Sequence, residues 1–186
     1  MLRPLTALSP LRLVLLAGAA LCVGAGGATA QPVPAALGMA AAPAGAPWSD
    51  AAARAGIARI VACTQAEYRP GEGWTGHPLD DPDTPGQCFE ALYHGSAGVL
   101  LALRHLARRG LAAALPADAA DLLAGQQQRL AADLADYRHG SASFLLGTTG
   151  LALLRWVLTR DAALLDAIHD AVAGNLHNPA REPLWG

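Results

Sequence analysis

Two stretches of the chain are apolar at nearly every position, Val99-Leu100-Leu101-Ala102-Leu103 and Leu151-Ala152-Leu153-Leu154, and two others are apolar on one side only. A helix that is hydrophobic all round is a buried one, so the first pair predicts buried helices. In the second pair, Leu122, Leu123, Leu130 and Leu134 share one helical face, with Asp121, Gln127, Gln128, Arg129 and Asp133 largely elsewhere. Leu164, Leu165, Ile168 and Val172 repeat the pattern after Asp161, which suits an N-cap, and ahead of Gly174, which suits a stop. These predict one-sided outer helices. An earlier helix is expected over residues 50–68, capped by Ser49 or Asp50, with Ile57, Ile60 and Val61 on one face. The alternation predicts helical hairpins, each with a buried inner helix and an amphipathic outer one.

The inner stretches belong to a repeat. Residues 91–106 and the weaker copy 144–158 both place apolar or aromatic residues ahead of a Gly-x-x-Gly, Gly95 and Gly98 in the first and Gly147 and Gly150 in the second. A third copy begins at Pro183-Leu184-Trp185-Gly186. Gly95 and Gly147 are 52 residues apart and Gly147 and Gly186 are 39 apart, a loose period of the size that helical pairs give. Glycine inside a helix costs about 1 kcal/mol relative to alanine, so the pairs need a reason. Either backbone packs closely at the start of each helix, or the preceding loop turns sharply with positive φ at the first glycine.

Tyr93-His94-Gly95-Ser96-Ala97-Gly98, then Leu145-Leu146-Gly147-Thr148-Thr149-Gly150, then residues 178–186 ending in Leu184-Trp185-Gly186, together resemble the opening repeats of lanthionine synthetase C-like proteins. The resemblance runs from about Trp48 to the last residue. It implies an all-α fold, a partial α/α toroid of inner and outer helical hairpins, similar in build to six-hairpin glycosidases. A complete toroid needs roughly twice as many hairpins as this chain supplies. The sequence therefore reads as an N-terminal portion, truncated in the third repeat.

Composition agrees with helices: only 5% of residues are aromatic, and Ala and Leu dominate an apolar content of 53%. A net charge of -2 and few basic residues point away from nucleic acid. Residues 1–30 form a separate block. Arg3 and Arg12 precede an uncharged run from Leu13 to Val23, and Ala28-Thr29-Ala30 precedes Gln31, the layout of a secretory signal peptide. The run is too short and Gly-rich for an integral membrane segment, and Leu21-Cys22 makes a poor lipobox. Export, to the periplasm for example, is expected. The alternative is a cytoplasmic protein starting at Met39, as the resembled family is usually cytoplasmic. Residues 31–47 read as an Ala/Pro/Gly-rich lead-in, and 48–186 as the toroid portion. Residues 69–87 hold many Pro and Gly without periodicity, a long loop that is either functional or a surface insertion.

The resemblance implies zinc for the full-length family, held by two Cys and a His so that a substrate thiolate adds to a dehydrated Ser or Thr. Those ligands belong to later repeats, beyond Gly186, so no metal or cofactor is expected in this chain. Cys63 and Cys88 belong to no Cys-x-x-Cys or Cys-His pair and read as small buried hydrophobes, or as disulfide partners if the chain is exported. His94 precedes the first Gly pair. It is a candidate for substrate contact or proton transfer, against the reading of a His that bonds nearby backbone. His105 falls in the buried pattern and reads as a core or edge residue, whereas His77, His139, His169 and His177 read as solvated surface. Glu182, four residues before Gly186, matches an acidic residue that bacterial cyclases of the family carry, and the resemblance implies a general acid or base there.

Three functions follow. The first is a lanthionine synthetase C-like fragment related to cyclases that form thioethers in peptides, acting on a peptide or thiol-containing substrate and inactive by itself. A second is a carbohydrate-active toroid, which needs two carboxylates across the cavity. Here only Glu90 and Glu182 stand close before a repeat glycine. The third is a non-catalytic helical binding module. A half-ring would also expose Leu-rich surface at its open edge, so self-association is expected.

Overall fold

The computed structural model describes residues 48–77, 86–136, 140–182 and 184. The expected signal segment, the lead-in, His139, Pro183, Trp185 and Gly186 lie outside these residues. The chain divides into Met1–Asp50 and Ala51–Gly186, and the second unit is the one described. Among the described residues it is all-α. Five helices, α1 (Asp50–Ala66), α2 (Ser96–Ala107), α3 (Ala119–Asp133), α4 (Thr148–Thr159) and α5 (Ala162–Gly174), are joined by loops and one 3-10 turn (Gly140–Ala142). Among the described residues, isolated bridges join Arg69 with Gly73 and Thr75 with Cys88.

The helix ends follow from local chemistry. Asp161 caps α5 as expected, its Oδ1 accepting from Ala163 N at 3.0 Å, and α5 ends at Gly174. Asp118 stands at the same position of α3 yet makes no side-chain cap. Its carboxylate is used elsewhere: Oδ1 accepts from the Tyr68 hydroxyl at 2.6 Å and Oδ2 from Gly71 N at 3.0 Å. That pair ties the exit of α1 to the entry of α3. The Tyr68 bond, together with the one from Gly71, holds the Asp118 carboxyl below the usual range, while burial and then Asp118 push the Tyr68 hydroxyl well above its usual value.

The sign of the pH effect follows. A carboxyl with depressed pKa stabilises the fold above its unfolded value near 3.9, and the contribution is lost as pH falls. A phenol with raised pKa contributes fully below about 10, and the contribution is lost as pH rises beyond it. Asp118→Ala is therefore expected to lower stability by about 1–2 kcal/mol near pH 7, with the difference from wild type shrinking towards pH 3 and above pH 10. Urea unfolding of both proteins across this range measures it. A difference independent of pH would show that the carboxylate is not what matters.

Helix α4 packs against α2, α3 and α5. Leu100, Leu123 and Leu151, fully buried, contribute one side chain from each of α2, α3 and α4 to the core. On α3 the expected face is buried in full, at Leu122, Leu123, Leu130 and Leu134. Gln126, which lies on the same stripe between Leu122 and Leu130, is buried completely with them.

The expectation of a fully buried α2 is corrected. Ser96, Ala97, Leu100 and Leu103 are buried, but Leu101, Ala102 and His105 are exposed. The sequence of α2 is apolar all round, but α4 covers only one of its sides. His105 is accordingly an exposed residue in contact with Arg109, at 2.9 Å. On α5, Leu164 is buried and Ile168 half-buried, whereas Leu165 and Val172 of the expected face are exposed. Helix α1 ends at Ala66 rather than at residue 68, with Val61 buried, Ile57 half-buried and Ile60 exposed.

Candidate functional site

Each inner-type helix starts in the same way. Gly95 and Gly147 are the N-caps of α2 and α4, both with extended backbone, so the sharp positive-φ turn considered at the first glycine is not what these residues are for. Close approach is the reason. A Cβ on Gly98 would collide with the carbonyl oxygen of Leu92, and one on Gly150 with that of Phe144, in each case the residue six positions earlier. At Gly95 a Cβ would stand 2.6 Å from Ala91 N.

The tight return of the chain satisfies the helix start. Gly95 N donates to Ala91 O at 2.9 Å, Ser96 N to Phe89 O at 2.8 Å and Ala97 N to Glu90 O at 3.4 Å. With these donors occupied, the start of α2 has no ready nest of amides for an anion. In the second copy the threonines assist: Thr148 Oγ1 donates to Ser141 O and Thr149 Oγ1 to Ala142 O, both at 2.7 Å.

The two starts lie side by side. Tyr93 N donates to Leu145 O at 3.0 Å, and the Leu92 side chain lies against Gly150. His94 and Tyr93 are exposed at this end, with the His94 ring 5.2 Å from that of Phe89 and 6.2 Å from that of Tyr93. Phe144, from the second copy, is also exposed. Glu90, in the same loop, is half-buried and accepts from Arg129 Nε at 3.1 Å. Burial pushes its carboxyl above the usual range, and the Arg129 bond only partly opposes this. A perturbed carboxyl in the same loop as exposed aromatic and imidazole rings is the kind of group that binding sites carry.

The long loop between α1 and α2 is anchored here by a residue that sequence reasoning did not single out. Trp74 is buried; its backbone N donates to Ser96 Oγ at 3.1 Å and its indole Nε1 to Thr64 O at 2.6 Å. Gly73, at φ 95°, lets the chain pass over Ser96, where a Cβ would clash. Gln126 Nε2 reaches Glu72 O at 3.2 Å, while its Oε1 is buried without a hydrogen-bond partner. A lone Trp between Gly73 and Gly76 in a polar loop was the available signal.

Glu182 Oε2 accepts from Leu184 N at 2.6 Å, closing a local turn after Arg181, whose φ is 49°. Cys63 and Cys88 are free thiols, each half-buried. Burial, and then Glu72, push the Cys88 thiol up, which opposes the thiolate that a metal would need. Among the described residues no three His, Cys, Asp or Glu side chains are grouped to hold a metal. The described residues do not fit the zinc implied for the full-length family. Among these residues no helix is long and apolar enough to cross a membrane. Compared with known proteins, the chain matches no family model, no curated protein and no solved structure.

Proposed function

We propose that this chain is the opening portion of a lanthionine synthetase C-like α/α toroid, with a peptide-binding end formed by its two adjacent Gly-x-x-Gly helix starts. One observation carries the reading. Both copies use the second glycine in the same way, against the carbonyl six residues earlier, and the loops ahead of them are joined through Tyr93 N and Leu145 O. Such a repeat sets equivalent loop ends beside one another, as a ring of hairpins requires. The exposed rings of Tyr93, His94 and Phe144 offer apolar and hydrogen-bonding contacts for a peptide side chain. Thioether formation belongs, in this reading, to the zinc-bearing repeats of the family, and residues 48–186 contribute peptide binding.

A fluorescent peptide containing dehydroalanine and cysteine tests the proposal. The chain is expected to bind it without cyclising it, and without stoichiometric zinc by elemental analysis. His94→Ala and Tyr93→Ala are each expected to weaken binding about tenfold, the effect of losing one central contact. Binding of oligosaccharides with indifference to the peptide would overturn the reading in favour of a carbohydrate-active toroid. Glu90, with its raised carboxyl, would then be the residue to follow.

A further inference from the structure

Among the described residues, two helix faces carry exposed apolar side chains, and they differ in charge. On α2 and its C-terminal turn, Leu101, Ala102, His105, Arg108 and Arg109 are all exposed. Their spacing of i, i+1, i+4, i+7 and i+8 forms one continuous stripe. With Arg104 beside them, residues 91–117 contain three Arg and no acidic residue. On α5, Leu165 is 42% exposed and Val172 52%, with Leu176 just past the helix end 68% exposed, at i, i+7 and i+11. Residues 161–180 contain three Asp and no Lys or Arg. Arg160, just ahead of them, lies over the Trp156 ring at 4.8 Å.

Helix α5 carries an apolar arc wider than its contact with α4. Leu164, Ile168 and Ala171 are buried or half-buried, while Leu165 and Val172, beside them on the helix, stay in solvent. Contiguous exposed apolar residues mark a surface that another molecule covers. The charges indicate which molecule: one stripe is apolar and basic, the other apolar and acidic, and both belong to this chain.

We propose that a second copy of this chain is the partner, and that copies associate head to tail, the α5 stripe of one docking on the α2 stripe of the next. Leu165, Val172 and Leu176 meet Leu101 and Ala102, while Asp166 and Asp170 face Arg108 and Arg109. The contact is heterologous, so each copy presents one free face of each kind until a ring closes. The inference does not depend on peptide binding.

Sedimentation of the full chain tests it. Association is expected to rise with protein concentration and to weaken at high salt. Leu101→Asp and Val172→Asp are each expected to weaken it at least about tenfold, because each puts a charge into an apolar contact. An equimolar mixture of the two variants is expected to form a heterodimer and stop there, since each retains the face the other has lost. Circular dichroism and cooperative melting check that both variants fold. The charge variant Arg108→Glu with Arg109→Glu, at exposed positions away from the core, repeats the test, with Asp166→Arg and Asp170→Arg in the partner copy expected to restore binding. A wild-type chain that stays monomeric, or a mixture that fails to form the heterodimer, would overturn the proposal.

Discussion

Gly98→Ala is expected to destabilise the protein by about 3 kcal/mol or more, although alanine is the better helix former. The gain in helix propensity is about 1 kcal/mol. Against it, the new Cβ would overlap the Leu92 carbonyl oxygen. That oxygen is backbone, so no rotamer change relieves the clash and the loop must move away from α2. Movement is costly because the loop also caps the helix, through Phe89 O and Ala91 O, and its Leu92 side chain fills the space beside Gly150 on α4. Overlap therefore wins over propensity. Gly150→Ala meets the Phe144 carbonyl in the same way and should cost a similar amount. Because Leu92 touches both sites, the double variant should depart from additivity. Gly56 provides the control: it lies within α1 with nothing near its missing Cβ, and Gly56→Ala should stabilise by about 0.5–1 kcal/mol. Urea unfolding of the wild type and the four variants decides it. If Gly98→Ala were neutral or stabilising, the close approach would not be what the repeat glycines are for.

Trp74→Ala carries the second large effect, about 3–5 kcal/mol, as expected for deletion of a buried Trp. The residue fastens the loop after α1 at three points. Its ring packs on Tyr68, with centroids 4.8 Å apart, its indole N–H takes up Thr64 O, and its backbone N–H donates to Ser96 Oγ. Thr64 O is one of the last carbonyls of α1, which have no partner within the helix, so the indole serves as its cap. Trp74→Phe keeps most of the packing and loses that bond, and should cost nearer 1–2 kcal/mol. Limited proteolysis should then cut Trp74→Ala within residues 69–88 while α3 and α4 stay protected. Equal losses for the Ala and Phe variants would mean that the hydrogen bond, rather than the volume, holds the loop.

Much of the helical layout was legible in advance, because helix ends and faces are local. Asp161 announced α5 through a side chain that caps its own backbone two residues on. The stripe from Leu122 to Leu134 announced α3, and all four leucines are buried. The Gly-x-x-Gly pairs marked the starts of α2 and α4, though the sequence left close approach and a positive-φ turn equally open. The extended φ of Gly95 and Gly147 and the carbonyls facing Gly98 and Gly150 chose between them.

The site was less legible. Glu90 and Trp74 matter through partners far along the chain, Arg129 for the first and Thr64 and Ser96 for the second. Asp118 has the residue type of an N-cap and sits where one belongs, yet Tyr68 and Gly71 take its carboxylate. Gln126, which the sequence did not single out, is wholly buried on the stripe of Leu122 and Leu130, where its Nε2 donates to the loop carbonyl of Glu72.

By itself the sequence determined that the described part of the chain is helical, where α2, α4 and α5 begin, and which side of α3 is apolar, since periodicity and capping act within a turn or two of the backbone. Only the tertiary structure decided which apolar sides are covered. Leu101 on α2 and Leu165 and Val172 on α5 are as hydrophobic as buried residues, but burial depends on a neighbour brought from elsewhere in the chain, and α4 reaches only one side of each helix.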